Sequence, residues 1–326
     1  MSASNTRGRA WRWPIVGFAF LMVPFALAQG REEAIPPYQA VAGIAGTLSI
    51  QAGDIPGNLA AVWLDDFQRY YPNVTVALGA QGSTAGASGL IAASEGLAFM
   101  SRPMDARELS DFKAKHGYRP MAIRIAHSAI VIYVNGANPL QRITLPQLDA
   151  MYSTTRRCGG GVPIRNWQQL GVDTWPADGQ IHLFGPDDSS GVSELFRRRV
   201  LCDGDIRPGV DQLAGPSAVE AAVAGSRRGL GFAELGPMPG VKALAVASTA
   251  QTDFVAPTVD NIRRGRYPLS HDLEVYVYHL ADKTISPLAR EFIRMVLSAE
   301  GQKAVSEMGY IPLQASEIQR QLARLQ

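Results

Sequence analysis

Two apolar, β-rich runs constrain this chain more than any other feature. IRIAHSAIVIYVN (123–135) and HDLEVYVYHL (271–280) are both longer than an ordinary strand and rich in Val, Ile and Tyr. Before the first run, strand-like TLSIQA (47–52), NVTVAL and LAFMS alternate with helical patterns. In NLAAVWLDDFQRYYP the residues Leu59, Val62, Trp63, Phe67 and Tyr70 recur at helical spacing, and MDARELSDFKAKHG ends on Gly117. Between the two runs the alternation resumes with TLPQLDAMY, IHLF, SSGVSELFRRRVL, SAVEAAVA and GLGFAEL, and helices follow the second run. Strand–turn–helix alternation predicts an α/β fold whose parallel or mixed sheet carries helices on its faces. Two long strands bracketing a middle block predict two lobes between which the chain crosses twice. The first lobe is expected over 46–130 plus 271–326, and the second over 131–270.

The N-terminus reads as a targeting segment. Arg7, Arg9 and Arg12 precede an apolar stretch from Trp13 to Leu27, and Ala26-Leu27-Ala28 offers a small-x-small cleavage site, so residues 1–28 are expected to be a cleaved secretory signal. The stretch is short for a membrane span and contains Pro14 and Pro24. No cysteine follows the cut, which argues against a lipid anchor. Residues 29–45 form an irregular lead-in. Cleavage removes three arginines and no acid, so the formal charge of +2 becomes slightly negative. Such a balance leaves no electrostatic footprint for nucleic acid. The chain's two cysteines, Cys158 and Cys202, both fall in the middle block, near Gly or Asp-Gly turns. In an oxidising compartment they are expected to form a disulfide, the alternative being two separately buried thiols.

Candidate chemistry lies in the turns. Four of them stand where strands give way to helices: Gly53-Asp54-Ile55-Pro56, Gly82-Ser83-Thr84-Ala85-Gly86, Ser101-Arg102-Pro103-Met104 and Asp188-Ser189-Ser190-Gly191. Backbone N–H groups are unpaired there, the helix dipole favours negative charge, and Ser and Thr hydroxyls add donors. The run QGSTAGASGL (81–90) thus reads as an anion cradle built from neutral donors, although a plain N-cap explains any one such loop. It lacks the lysine of a P-loop, and the chain has neither a G-x-G-x-x-G after a strand nor a G-x-S-x-G elbow. His116, His127, His182, His271 and His279 are scattered without metal-ligand spacing and read as surface or satisfied residues. Asp65-Asp66 and Arg197-Arg198-Arg199 read as solvated helix faces.

Taken in order, GSTAG, SRPM, VNGANPL, ITLPQLDAMYS, DDSSGVSELF and SAEGQKAVSEMGYIPL resemble the substrate-binding proteins of phosphate ABC transporters, over about residues 46–314. The resemblance implies a type II periplasmic binding protein: two α/β lobes joined by a two-strand hinge, with an oxyanion in the cleft at helix N-termini. It implies a monomeric, periplasmic, non-enzymatic protein without cofactor or metal that hands phosphate, or a similar oxyanion, to permease subunits.

Carried over by position, Ser83 matches the family's phosphate-contacting serine, and Ser190-Gly191 match its Ser-Gly pair. Asp54-Ile55 sit at a backbone contact. Three family residues are replaced: Gly96 stands near the usual aspartate, Pro186 at the usual arginine and Val192 at a threonine. The expected ligand set is therefore Asp54, Ile55, Ser83, Thr84, Ser101, Arg102, Ser189, Ser190 and Gly191. Arg102 is expected to supply the lost charge by forking onto two anion oxygens, or else to pair with Asp105 or Glu108. The rival readings are a sensor or adhesin-like protein with an altered pocket, and a secreted hydrolase using Ser83 or Ser190 with His127 or His182.

Overall fold

The long run at 121–135 forms a single fifteen-residue strand whose second half is buried without interruption, as in a strand covered on both faces. A computed structural model describes Met1 and residues 34–51, 57–78, 83–93, 96–173, 175, 179–236, 239–278 and 284–325. The signal segment, the Asp54-Ile55 turn and His279 lie outside the described residues.

The chain runs β1 (Gly46–Gln51), α1 (Gly57–Tyr70), β2 (Val74–Leu78), α2 (Ser83–Ala92), β3 (Leu97–Met100), α3 (Ala106–His116) and β4 (Met121–Asn135). The middle block contributes β5 (Arg142–Thr144), α4 (Leu145–Tyr152), a 3₁₀ turn (Trp167–Leu170), β6 (His182–Pro186), α5 (Gly191–Val200) and β7 (Val210–Leu213). It continues through α6 (Pro216–Gly225), β8 (Gly229–Glu234), β9 (Val241–Ala243), β10 (Ala245–Ala247) and α7 (Val259–Arg263). The last part is β11 (Ser270–Val277), α8 (Pro287–Val296), α9 (Ala299–Glu307) and α10 (Ala315–Ala323). No described helix is long and apolar enough to cross a membrane.

One curled sheet has the order β2-β1-β3-β11-β4-β8-β6-β7, with β9 also on β4; β10 and β5 form a separate pair. The two long strands are neighbours in it. β4 pairs antiparallel with β11 from Met121 to Ala129, then passes to β8 from Ile130 to Val134. A register shift in β11 at Leu273/Glu274 marks where the shared stretch bends.

Two large cores flank this passage, and a smaller cluster of Met100, Met104, Phe112 and Tyr278 packs α2 and α3 against the sheet. The first centres on Trp63, Phe67, Phe99 and Phe292, whose rings meet edge-on or stacked at centroid distances up to 6.0 Å. The second is built on Tyr152, Phe196 and Phe232, the last two stacked at 3.7 Å. On β4 the change of core falls between Ala126 and Ala129.

Local signals account for the helix ends. Asp105 and Glu108 form a reciprocal capping box at the start of α3, and Gly117 closes that helix in the left-handed region at φ 80°. α2 begins at Ser83 and runs to Ala92. Residues 34–45 are irregular yet docked: the Tyr38 hydroxyl lies 2.7 Å from that of Tyr71 and donates to Glu291 at 3.0 Å. Cys158 and Cys202 are disulfide-bonded, their Cα atoms 5.2 Å apart, tying the loop after α4 to the loop after α5.

Candidate functional site

The N-terminus of α5 is the best-defined donor cluster. Asp187 to Ser190 close a turn through Ser190 N–H donating to Asp187 O at 2.9 Å. Ser190 then caps the helix, its Oγ accepting from Ser193 N–H at 3.1 Å, and Ser193 Oγ donates to Pro186 O at 2.9 Å. Glu194 N–H bonds to Ser190 O at 3.0 Å. That leaves the first-turn amides of Gly191 and Val192 with no partner among the described residues. Ser189 is exposed, Ser190 half-buried and Gly191 buried.

Facing it is the turn between β3 and α3. Ser101 and Arg102 are both buried, each 1% exposed. The Arg102 guanidinium forks onto Glu108, with Nη1 to Oε2 at 2.8 Å and Nη2 to Oε1 at 2.7 Å, and Nη1 also reaches Pro103 O at 3.1 Å. Its Nε lies 2.9 Å from Glu194 Oε2. Burial works against the arginine's charge, but the hydrogen bonds and charges of Glu108 and Glu194 outweigh it and move its pKa upward. In this arrangement the fork is held by Glu108 rather than open to two anion oxygens. Glu108 is fixed in turn because Oε2 also accepts from the Asp105 amide at 2.8 Å.

Arg198 extends the same network. It contacts Glu194 at 2.7 Å and Asp105 at 3.2 Å, so α5 of the second core is bound by two arginines to the turn ahead of α3, which packs on the smaller cluster around Met104 and Phe112. Hydrogen bonding to the Glu108 amide, aided by Arg198, holds the Asp105 carboxyl below its usual pKa. The reading of Arg197–Arg199 as a solvated face holds for the exposed Arg199, while the partners of the run correct it in part. Arg198 is in this network, and Arg199 donates to Ser270 O on β11. A three-residue run cannot reveal such partners, which come from elements distant in sequence.

Of the expected ligand residues, the structure thus brings Arg102 into the α5 site through Glu194. Ser83 and Thr84 open α2, and their side chains lie outside the description, as do Asp54 and Ile55. Gly96 has a structural reason of its own. Its φ is +119°, and a Cβ there would sit 2.6 Å from Ser49 O, so an aspartate cannot occupy the position without distorting β1. Val192 is buried in the first turn of α5 and brings no hydroxyl.

Each described histidine has a polar neighbour, although Nδ1 of His271 is buried with no hydrogen-bond partner among the described residues. His127 lies between Asp272 (2.7 Å) and Glu317 (3.2 Å), His271 meets Glu234 at 2.9 Å, and His182 meets Asp211 at 2.8 Å. The Tyr278 hydroxyl is within hydrogen-bond distance of His116. Neither His127 nor His182 contacts Ser190, whose hydroxyl oxygen serves as a cap, so the hydrolase reading has no serine–histidine pair there.

Residues 38–300 match the family model of a PBP superfamily domain. The chain belongs to that superfamily. A phosphate-binding protein PstS of Pseudomonas aeruginosa is 36% identical over 295 residues, spanning 90% of this chain and 91% of that one, which places both in one family. The structure is similar to that of a possible phosphate binding protein from Planctomyces limnophilus, with TM-score 0.69 and 24% identity, covering 87% of this chain and 98% of that one. An ABC-type phosphate transport receptor from Vibrio cholerae gives TM-score 0.64 at 24% identity, with 82% and 100% coverage. The fold is that of type II periplasmic binding proteins, two α/β lobes joined by crossing strands.

Proposed function

We propose that this chain is a monomeric periplasmic binding protein that captures phosphate, or an oxyanion of like shape and charge, and delivers it to the permease subunits of an ABC transporter without turnover. One observation carries the reading: two unpartnered amides at the head of the ten-residue α5 face a buried arginine across the junction of the two cores. Amides at a helix N-terminus bind oxyanions by geometry and dipole together. The names of the relatives support the choice of phosphate.

In this reading the lobes comprise 46–130 with 271–326, and 131–270, and they close around the anion by bending at β4 and β11. Gly191, Ser190 and Ser189 act from the second lobe. Ser83, Thr84, Ser101, Asp54 and Ile55 act from the first. Arg102 reaches the anion through Nε by exchange with Glu194, while Glu108 keeps the two terminal nitrogens.

Isothermal titration of the mature protein with phosphate and sulfate tests the proposal. We expect saturable one-to-one binding of phosphate and no release of phosphate from a phosphomonoester. Gly191→Pro deletes one donor at N1, where proline is compatible with a helix, and should weaken binding about tenfold or more with the melt preserved. Wild-type affinity in that variant, or no anion binding by the parent protein, would overturn the reading.

A further inference from the structure

An open surface pocket, rimmed by exposed Gln180, His182, Gly209 and Arg228, lies beside the second core at the end of its sheet opposite the head of α5. His182 opens β6 and Pro186 ends it, so a strand of this length sets the two ends about 13 Å apart. The pocket has a volume of about 270 Å³ and is lined by Gln180, His182, Arg207, Gly209 and Arg228 among others, with no acidic residue among the described lining. That is far more than the ~30 Å³ share of one water.

One of its cations keeps a shielded donor unpaired. His182 has a carboxylate partner in Asp211 at 2.8 Å. Arg207 has its Nε shielded from solvent with no hydrogen-bond partner among the described residues. Burial, reinforced by the nearby charge of Arg165, holds the Arg207 pKa below the usual guanidinium value. A buried N–H donor on a cation carries a desolvation cost that a bound anion removes.

The frame around the pocket is fixed at several points. Arg207 N–H donates to Tyr152 O at 2.8 Å, His182 N–H to Arg228 O at 2.9 Å, and Ile181 N–H to Arg165 O at 2.8 Å. The Cys158–Cys202 disulfide anchors the start of the segment that carries Arg207. Cys202 and Asp203, where the chain leaves α5, have positive φ of 49° and 58°.

We propose that this pocket is a second anion site, separate from the cleft, for a phosphate-bearing anion larger than inorganic phosphate, with Arg207 as its principal ligand and Arg228 beside it. A soluble polyphosphate and the phosphodiester of an anionic lipid share this chemistry.

The test uses the full mature protein, ¹⁵N-labelled and titrated with inorganic pyrophosphate. The Arg207 Nε–Hε signal and the Gly209 amide should shift together and saturate. Arg207→Ala should weaken the binding reported by Gly209 about tenfold or more, and Arg207→Lys should recover part of it. Phosphate affinity at the cleft should be unchanged in both. Unmoved Arg207 and Gly209 signals, or undiminished Gly209 shifts in the alanine variant, would overturn the proposal. Co-sedimentation with phosphatidylglycerol vesicles that depends on Arg207 assigns the lipid headgroup as the source. Pyrophosphate binding that depends on Arg207, without co-sedimentation, assigns the soluble anion.

Discussion

Removing Arg102 should damage the fold as well as the site. The guanidinium is 1% exposed, and its two carboxylate partners, Glu108 and Glu194, are 15% and 23% exposed at the side chain. Arg102→Ala strands Glu108 and deletes one of the two arginine links between α5 and the β3–α3 turn, while Arg198 keeps Glu194 and Asp105 paired. Breaking a buried pair costs about 3–5 kcal/mol. The partial exposure of the carboxylates lets water recover some of that, which sets the expectation at about 3 kcal/mol. At about 2–4 °C per kcal/mol for a large domain, the unliganded protein should melt about 6–12 °C lower.

Scanning calorimetry of wild type, Arg102→Ala and Arg102→Ala/Glu108→Gln reads this directly. The double variant should recover part of the loss, because one uncompensated charge is gone. Arg102→Lys should behave more like alanine than like wild type, since an ammonium cannot make the two parallel bonds to Glu108. A fall of less than 1 °C in Arg102→Ala would show that the network carries no stability, and the account of the β3–α3 turn would be wrong.

Three further outcomes follow from other parts of the structure. Burial raises the Glu220 pKa from 4.5 to about 7, so between those values the folded state holds a proton that the unfolded state has lost. Stability should therefore fall as pH rises through that window, by about 2 kcal/mol, and urea melts of Glu220→Gln should lack the slope. Reducing the Cys158–Cys202 bond, which spans a separation of 44 residues, should cost about 4 kcal/mol by chain entropy, read as a lower denaturant midpoint in dithiothreitol. Restoring the family's aspartate as Gly96→Asp should destabilise by about 2 kcal/mol or more in a thermal melt, because φ +119° and the Ser49 carbonyl both exclude it.

The strand–helix order was legible because it rests on local signals. The apolar run of β4, the helical spacing through Trp63 and Phe67 in α1, and the Asp105–Glu108 capping box with Gly117 in α3 are each contained in a short stretch. The turn before α5 was legible for the same reason: Asp-Ser-Ser-Gly is both a turn and a cap, and it leaves two amides open. The charge network was legible only in part. Glu108, six residues from Arg102, could be named from sequence, whereas Glu194 and the Arg198–Asp105 pair needed the fold to bring α5 against α3. Glu220 gave no sequence signal either. Its environment is made by Tyr133 on β4 and by Gly236 beyond β8, where a Cβ would lie 2.8 Å from its Oε1.

The central claim is that an oxyanion sits at the head of α5, where the two cores meet. A crystal of the mature protein grown with arsenate, a close mimic of phosphate, locates the anion by the anomalous scattering of arsenic. The account predicts one strong peak with arsenate oxygens within about 3 Å of the Gly191 and Val192 amide nitrogens. A fully occupied anion bound elsewhere, with those two amides left to solvent, would contradict it.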